Sequence, residues 1–357
     1  MANLGHGGNV KEITRKRGIE YTNIIDFSSN INPLGMSDKA KQVIVDNLKE
    51  IEKYPDITYF ELKNEISEYE NIDINDLILG NGAAEVLFNV VRALNPKRVL
   101  IPIPTFSEYK EAVEAINAEV KFYKTIKENN FHIKHDILDY INKEIDLIFI
   151  CNPNNPTGVI SDKKLLIEIL KKAKKTGTSV LIDESFLDFV KENISMNSFI
   201  KEYSNLIIIK SLTKFFALPG MRIGYAITAN NKLKNEINKI TPAWNINILA
   251  DLATRASLKD KNYIRKTLDY MEYQKSLLYN GLKELNNLTV YNPSVNFIFF
   301  KTNSKIDLKL KLLEDKILIR SCSNYEGLDE SYYRVAIKLE EENIKLIKSI
   351  KNILNIC

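Results

Sequence analysis

Cysteine, histidine and tryptophan are scarce in this sequence of 357 residues, which contains three, three and one of them respectively. The cysteines Cys151, Cys322 and Cys357 are far apart and odd in number, and they form neither a C-x-x-C pair nor a cluster with histidine. This spacing indicates no disulfide framework and no zinc module. We therefore expect a protein without bound metal in a reducing, cytoplasmic compartment.

The sequence also lacks an excess of charge of one sign and lacks long apolar runs. Its 50 basic and 46 acidic residues leave a net charge of +4, which is too balanced to favour a nucleic-acid partner. No apolar run approaches the ~20 residues of a membrane span, and the N-terminus has no apolar signal-peptide core. A hydrophobic content of 45% over this length predicts a globular protein with a large core and two domains. We expect neither a nucleic-acid nor a membrane partner.

The stretch SNLIIIKSLTKFFALPGMRIGY carries the strongest chemical signal. Its apolar, β-branched residues 206–209 predict a buried strand that leads to Lys214. Burial disfavours an ammonium ion, so a lysine at the end of such a strand is a candidate for Schiff-base formation. Ser211, Thr213 and Arg222 could hold a phosphate, the arginine as a bidentate donor. Taken alone, Lys214 is more often interpreted as an ordinary solvated lysine.

Two further predicted strands end in polar groups of a matching kind. Asp183 closes the apolar run 179–183, and NPNNPTG, which contains Asn155, follows the run 147–151. Pyridoxal phosphate (PLP) needs such a set, with an acid at its pyridine nitrogen, an amide at its phenolic oxygen and a lysine at its aldehyde. Asp183, Asn155 and Lys214 are therefore predicted to be the catalytic residues of a PLP site.

NPTG, the aspartate at a strand end, SLTK and the arginine eight residues later resemble the fold-type I PLP-dependent enzymes, the aspartate aminotransferase superfamily. The resemblance covers nearly the whole chain. HGGN at 6–9, DFSSNINPLG at 26–35 and IRSCSNYEGLDESYYRVAI at 319–337 resemble, within it, the L-threonine-O-3-phosphate decarboxylases of cobalamin biosynthesis. This resemblance implies a homodimeric lyase with shared active sites. Its substrate would be a phosphorylated amino acid, L-threonine O-3-phosphate, and its products (R)-1-aminopropan-2-yl phosphate and CO2.

The predicted fold is α/β, with a mostly parallel central sheet in a large domain and a smaller α+β domain. Helices and strands alternate up to residue 227, as right-handed crossovers between parallel strands require. Amphipathic helices at 246–258 and 263–285 follow, with strands at 295–300 and 333–337. The predicted units are an N-terminal arm over the active site at 1–35, a large PLP-binding domain at 36–243 and a small domain at 244–357.

The resemblance also implies further contacts to the cofactor. Gly82, Ala83 and Ala84 lie in a turn between a strand and a helix, where free backbone N–H groups could bind the PLP phosphate, although capping turns of this kind are common. Phe106 occupies the position of the aromatic ring that stacks on the pyridine, and without the resemblance it is equally well explained as core. Tyr54 is expected to reach the PLP phosphate of the neighbouring subunit.

The residues implied for substrate binding come from both ends of the chain. Four of them are expected to bind the substrate phosphate: His6, Gly7, Arg320 and Ser321. Asn32 is expected near the substrate carboxylate. Arg334 lies inside an apolar strand, where a buried guanidinium needs an anion. That anion is either an acidic side chain in a structural salt bridge or, as the resemblance implies, the substrate carboxylate.

Phe186 separates two otherwise similar hypotheses. Many aminotransferases have at this position a tyrosine that hydrogen-bonds the cofactor phenolate, which phenylalanine cannot do, so Asn155 is left as the main partner. The resemblance implies that the decarboxylases also lack this tyrosine. Histidinol-phosphate aminotransferase, which lacks the HGGN arm, is therefore the second hypothesis, and a non-catalytic protein of the same fold is the third. Loss of Lys214 or Asp183 would favour the third hypothesis, and both are present.

Overall fold

A computed structural model of the chain describes residues 7–18, 20 and 24–355. A central sheet contains seven strands, which are β2 (Leu77–Gly80), β3 (Arg98–Ile103), β4 (Glu119–Lys124), β5 (Leu147–Cys151), β6 (Ser179–Asp183), β7 (Leu206–Ser211) and β8 (Gly224–Ile227). They lie in the order β2-β8-β7-β6-β5-β3-β4. All neighbouring pairs are parallel except those of β8, which is antiparallel to β2 and β7. The predicted mostly parallel α/β fold is confirmed.

The central strands are apolar on both faces. Strand β5 is buried along its whole length, with Ile148 and Ile150 in one hydrophobic core and Leu147 and Phe149 in another. Since alternate residues of a strand face opposite sides, these two cores lie on opposite faces of the sheet. Burial on both faces is typical of parallel strands that are covered by helices.

Helices provide that cover and form much of the C-terminal part. They are α1 (Val10–Arg17), α2 (Asp38–Asp46), α3 (Phe60–Glu70), α4 (Ala83–Leu94), α5 (Glu108–Glu114), α6 (Ile137–Tyr140), α7 (Lys163–Thr176), α8 (Asn231–Ile240), α9 (Ile248–Leu258), α10 (Lys261–Lys283), α11 (Leu308–Glu314) and α12 (Glu340–Asn355). Side chains of α4 and α8 join the core on one face of the sheet, and those of α7 join the core on the other. No helix in the described part of the chain has the length and hydrophobicity that a membrane crossing requires.

Short strands, all but one of them from the C-terminal part of the chain, form two smaller sheets. They are β1 (Ile25–Asp26), β9 (Leu288–Val290), β10 (Phe297–Thr302), β11 (Ile317–Leu318), β12 (Arg320–Ser321) and β13 (Tyr332–Ala336). Four of them form an antiparallel sheet in the order β12-β13-β10-β9, and β1 pairs in parallel with β11. The N–H of Ala336 also donates to the carbonyl of Phe27 at 2.8 Å. The segment after α1 is therefore hydrogen-bonded to the C-terminal part, while the predicted domain boundaries stay a prediction.

Strand register brings the polar strand ends to one edge of the central sheet. Cys151 pairs with Asp183 between β5 and β6, and Asp183 pairs with Ile209 between β6 and β7. The segments that carry Asn155 and Lys214 consequently leave the sheet beside Asp183. The carboxyl edge of parallel strands is where open α/β sheets bind their ligands.

A buried cluster of charged side chains lies behind the end of β7. Because alternate strand residues face opposite sides, Lys210 points away from the face to which Ser211 points. Its Nζ is 2.5 Å from Glu70 Oε1 and 3.6 Å from Asp188 Oδ1. The hydroxyl of Tyr225 donates to the same Glu70 oxygen at 2.5 Å. These contacts connect α3, β7 and β8 and fix the end of β7 from the side opposite to the pocket.

Candidate active site

A pocket at the carboxyl ends of β5, β6 and β7 contains most of the residues predicted to bind a cofactor. Those that line it are Ala83, Ala84, Phe106, Asn155, Asp183, Ser211, Thr213, Lys214 and Arg222. Gly82 is the N-cap residue of α4, directly before this set. The residues come from segments that are far apart in the chain, and the roles assigned to them stay predictions.

Lys214 lies in the turn that follows β7, with its amine in the pocket. Its Nζ is 2.9 Å from Ser211 Oγ and lies over the ring of Phe186, 5.7 Å from the centroid. Burial lowers the pKa of Lys214, Arg222 lowers it further, and the carboxylate of Asp183 acts in the opposite direction. An amine with a lowered pKa becomes neutral at a lower pH than an ordinary lysine does, and the neutral amine can act as a nucleophile.

Asp183 receives one hydrogen bond on each carboxylate oxygen. The backbone N–H of Ser185 donates to Oδ1 at 2.9 Å, and the hydroxyl of Tyr109 donates to Oδ2 at 2.7 Å. Tyr109 is buried between Phe149, on which its ring stacks, and the edge of Phe106. Burial first, and the Asp183 carboxylate second, raise the pKa of Tyr109, so the hydroxyl stays protonated and remains a donor.

A cradle for a phosphate group lies at the start of α4. Gly82 has a φ of 90°, in the left-handed region that favours glycine, and a Cβ there would lie 2.5 Å from Nη2 of Arg222. A Cβ on Gly224 would lie 2.3 Å from the backbone nitrogen of Ala83. The hydroxyls of Ser211 and Thr213 are 2.8 Å apart beside this turn. Free N–H groups of a first helical turn, two hydroxyls and a guanidinium suit a phosphate dianion.

These groups fit PLP in kind and number. PLP presents an aldehyde, a pyridine nitrogen, a flat ring and a phosphate, and the pocket offers an amine, a carboxylate, an aromatic side chain and an anion cradle. The two glycines without Cβ keep the cradle open. Lys214, Asp183, Phe106 and the α4 turn would therefore hold the aldehyde, the ring nitrogen, the ring face and the phosphate respectively.

Arg334 lies beside the pocket and is connected to it through Asn155. One guanidinium nitrogen of Arg334, Nη1, donates to Asn155 Oδ1, and the other, Nη2, donates to the carbonyl of Ser28 at 3.0 Å. Arg334 is 5% exposed, and none of the described carboxylates lies within salt-bridge distance of it. Its Nε has no partner among the described residues. A buried cation without an acid favours the substrate carboxylate over a structural salt bridge.

Arg320 is the cross-strand neighbour of Arg334. The two residues form a register pair between β12 and β13, so their side chains project from the same face of the sheet. Nη2 of Arg320 donates to Asn324 Oδ1 at 2.7 Å, and its Nε has no partner among the described residues. Arg320 also lines a cavity between α1 and β11 together with Ser28. This location is compatible with the predicted contact to a phosphate.

Comparison with known proteins agrees with this geometry. Residues 22–350 match the family model described as Aminotransferase class I and II. The chain belongs to this family. It is 34% identical to the threonine-phosphate decarboxylase of Salmonella typhimurium over 99% of this chain and 98% of that protein. It is also 34% identical to the histidinol-phosphate aminotransferase of Methanococcus aeolicus over 98% of this chain and 95% of that protein.

The fold of this chain is also similar to that of a solved aminotransferase structure. The histidinol-phosphate aminotransferase from Clostridium acetobutylicum matches with a TM-score of 0.88 and 33% identity, covering 93% of this chain and 99% of that one. The family depends on PLP, and the residues of the pocket fit this cofactor. PLP is therefore the cofactor of this aminotransferase class I and II protein.

Asn32 is near the pocket, and its side chain is hydrogen-bonded to neighbouring protein groups. Its amide nitrogen donates to the carbonyl of Phe215 at 2.9 Å, to the hydroxyl of Tyr263 at 2.9 Å and to Thr267 at 3.0 Å. Its backbone N–H donates to the carbonyl of Lys214 at 3.1 Å. These bonds occupy the donors of Asn32 and favour a role in positioning Lys214. The expected place of Asn32 near the substrate carboxylate stays a prediction.

Ser321, a predicted phosphate ligand, does not share the side of β12 to which Arg320 projects. It follows Arg320 in β12, so the two side chains project from opposite faces of the strand. Ser321 lines a separate polar groove with Lys301, Asp329 and Tyr333. Strand alternation separates the two side chains, so a shared contact of Arg320 and Ser321 with one phosphate stays a prediction that this geometry does not favour.

The remaining predicted residues lie at the edges of the site. Tyr54 is 79% exposed and its ring contacts Trp244, with centroids 4.7 Å apart. It does not line the pocket of its own chain. Gly7 contacts the carbonyl of Ser28, the same group that Arg334 binds, and a Cβ there would lie 2.0 Å from that oxygen. His6 lies outside the described residues.

Two tyrosines of the site were not predicted from the sequence. Tyr109 lies in the first turn of α5, three residues after Phe106, and the two rings meet edge to face. This spacing is a signal that could have identified it. Tyr325 contacts Asn155, Arg320 and Arg334 from a turn, and no local sequence pattern indicates those contacts.

Proposed function

We propose that this chain catalyses the PLP-dependent decarboxylation of L-threonine O-3-phosphate to (R)-1-aminopropan-2-yl phosphate and CO2, a step toward the nucleotide loop of cobalamin. The observation that carries the proposal is the pair of arginines Arg320 and Arg334 on one face of the small sheet. One of them is buried without an acid among the described residues. A phosphorylated amino acid supplies two anions for two guanidinium groups. The similarity to the Salmonella decarboxylase supports the same substrate.

The residues of the site divide the work of such a reaction. Bound PLP supplies an acceptor for the electron pair that remains when a bond to the substrate Cα breaks. Arg334 binds the carboxylate and Arg320 binds the phosphate, which together fix the orientation of Cα. Orientation decides which bond to Cα breaks, because only a correctly aligned bond can deliver its electrons to the acceptor. Asp183 keeps a positive charge on the ring nitrogen.

Lys214 completes the reaction as the group that moves a proton. Loss of CO2 breaks the bond between Cα and the carboxyl carbon, and the electron pair stays on the Cα side. A proton must then be added to Cα to give the amine product. Lys214 is the pocket residue suited to deliver it, since burial lowers its pKa and weakens its hold on the proton.

Histidinol-phosphate aminotransferase is the second candidate, because the Methanococcus aeolicus relative is as similar in identity as the decarboxylase. An aminotransferase must also bind an oxo acid, such as 2-oxoglutarate, in the same site. Phe186 contributes only its ring beneath Lys214 and offers no hydroxyl to the cofactor. We infer that this arrangement favours decarboxylation.

Product analysis without an oxo acid distinguishes the two functions. The PLP-loaded protein is expected to release CO2 and aminopropanol phosphate from L-threonine O-3-phosphate over many turnovers. L-Threonine serves as the control substrate, because it has the same carboxylate and lacks the phosphate that Arg320 binds. Absence of turnover, together with conversion of histidinol phosphate when 2-oxoglutarate is supplied, would contradict the decarboxylase and establish the aminotransferase.

The proposal includes a homodimer with shared active sites. Most of the large apolar side chains that are at least 50% exposed lie in one stretch of sequence, which includes Val45, Leu48, Ile51, Ile57 and Phe60. An exposed apolar patch of this kind is typical of a protein interface. Tyr54 lies in the same stretch and would reach the PLP phosphate of the neighbouring subunit. Light scattering that gives the mass of a single chain would contradict the dimer.

A further inference from the structure

Tyr325 lies between the two arginines of the proposed substrate site. It is 6% exposed and belongs to the turn that connects β12 with β13. Its ring faces Arg320, and its hydroxyl reaches Asn155 and Arg334. One side chain therefore contacts both anion-binding groups and a residue of the cofactor pocket.

The ring of Tyr325 fixes the guanidinium of Arg320. The Cζ atom of Arg320 is 5.3 Å from the ring centroid, within the range of a cation–π contact. Asn324, the residue before Tyr325, accepts a hydrogen bond from Nη2 of the same arginine at 2.7 Å. The guanidinium is held by one face and one nitrogen. Its Nε is buried and has no partner among the described residues.

The hydroxyl of Tyr325 fixes the orientation of the Asn155 amide. It donates to Asn155 Oδ1 at 3.3 Å and accepts from Nη1 of Arg334 at 3.5 Å. Nη1 of Arg334 donates to the same Oδ1. Because two donors point at Oδ1, the amide of Asn155 is held in one of its two flipped orientations. In this orientation Nδ2 is left for the cofactor pocket.

The turn that carries Tyr325 packs against α5 and the end of β3. Its Glu326 forms a salt bridge of 2.6 Å with Lys110 of α5. Gly327, with a φ of 86°, lies against Ile103 at the end of β3. Exposed salt bridges contribute little stability, whereas the side chain of Tyr325 is buried in a hydrophobic cluster with Cys322 and Tyr332.

We propose that Tyr325 is a positioning residue that makes the site selective for a phosphomonoester of a hydroxy amino acid over the unphosphorylated amino acid. The ring acts on the phosphate end through Arg320. The hydroxyl acts on the carboxylate end through Asn155 and Arg334. The assignment of the phosphate to Arg320 rests on the proposed function.

Two probes with one anionic group each separate these effects in the PLP-loaded protein. L-Threonine has a carboxylate without a phosphate, and 1-aminopropan-2-yl phosphate has a phosphate without a carboxylate. Tyr325→Phe keeps the ring and removes the hydroxyl, whereas Tyr325→Leu removes both. Dissociation constants are measured by calorimetric titration, with circular dichroism and PLP content as controls for folding.

The expected pattern differs between the two variants. Tyr325→Phe should raise the dissociation constant for L-threonine by about threefold, as the loss of one hydrogen bond predicts. The same variant should leave the dissociation constant for the phosphate probe unchanged. Tyr325→Leu should raise the dissociation constant for the phosphate probe by about tenfold, which is the effect expected from losing a partly buried cation–π contact. Equal binding of the phosphate probe by the Phe and Leu variants would overturn the proposal. Tyr325→Met gives a second non-aromatic variant if the Leu variant does not fold.

A double-mutant cycle tests whether Tyr325 acts through Arg320. In an Arg320→Met background, Tyr325→Leu should have no further effect on the phosphate probe, because the side chain that it positions is absent. A further loss as large as in the wild type would contradict action through Arg320. If the wild type releases no CO2 from L-threonine O-3-phosphate, the proposed function fails. The same cycle with histidinol phosphate as the phosphate probe still decides the role of Tyr325.

Discussion

Lys214→Arg is expected to lower kcat for L-threonine O-3-phosphate by about 10⁴-fold, the upper end of what one proton-transfer group contributes. Arginine has similar length and carries the same charge as a protonated lysine. Its guanidinium stays protonated at all accessible pH values, however, and it neither forms a covalent bond with an aldehyde nor moves a proton. Release of CO2 from the purified variant measures the effect.

The lowered pKa of Lys214 adds a pH-dependent readout to this variant. Burial and Arg222 lower the pKa, so the neutral amine is present at a lower pH than in an exposed lysine. Covalent uptake of PLP by the cofactor-free wild type should therefore persist below the pH at which an ordinary lysine is fully protonated, and the Arg variant should show none. Lys171→Arg changes an exposed lysine of α7 and is the matched control. Covalent PLP in the Lys214→Arg variant would contradict the assignment.

Arg334→Gln is expected to lower kcat/KM by about 10²- to 10³-fold, as removal of one partner of a buried ion pair does. Glutamine still reaches toward Asn155 but has no charge for the substrate carboxylate. The loss should fall mainly on KM if Arg334 only binds the carboxylate, and on kcat as well if it also orients Cα. Steady-state rates of CO2 release measure both.

Two further variants make the Arg334 result interpretable. Arg334→Lys keeps the charge without the planar pair of donors, and it should recover only part of the loss. Arg98→Gln removes a half-buried arginine at the start of β3 that pairs with Glu119 and Glu144, and it should leave kcat/KM unchanged. Wild-type kcat/KM in the Arg334→Gln protein would mean that the carboxylate binds elsewhere.

Helices and strands were largely predictable because their signals are local. The helices predicted at 246–258 and 263–285 correspond to α9 and α10, whose observed bounds are Ile248–Leu258 and Lys261–Lys283. Short strands such as β12, with only two residues, have too little sequence for a period of two to be recognised. The side of the strand to which Ser321 projects could therefore not be predicted from its neighbours.

The composition of the cofactor pocket was determined by the sequence itself. Polar residues at the ends of buried strands, such as Asp183 and Lys214, meet at one edge whenever those strands are parallel neighbours, and the apolar runs predict such strands. The donors and acceptors that surround each polar group were decided only by the tertiary structure. Asn32 bonds to residues of α10, and Asn155 bonds to Tyr325 and Arg334, more than 160 positions away. Hydrogen-bond partners depend on distances across packed elements, which local periodicity does not encode, so a residue's presence in the site was predictable while its orientation was not.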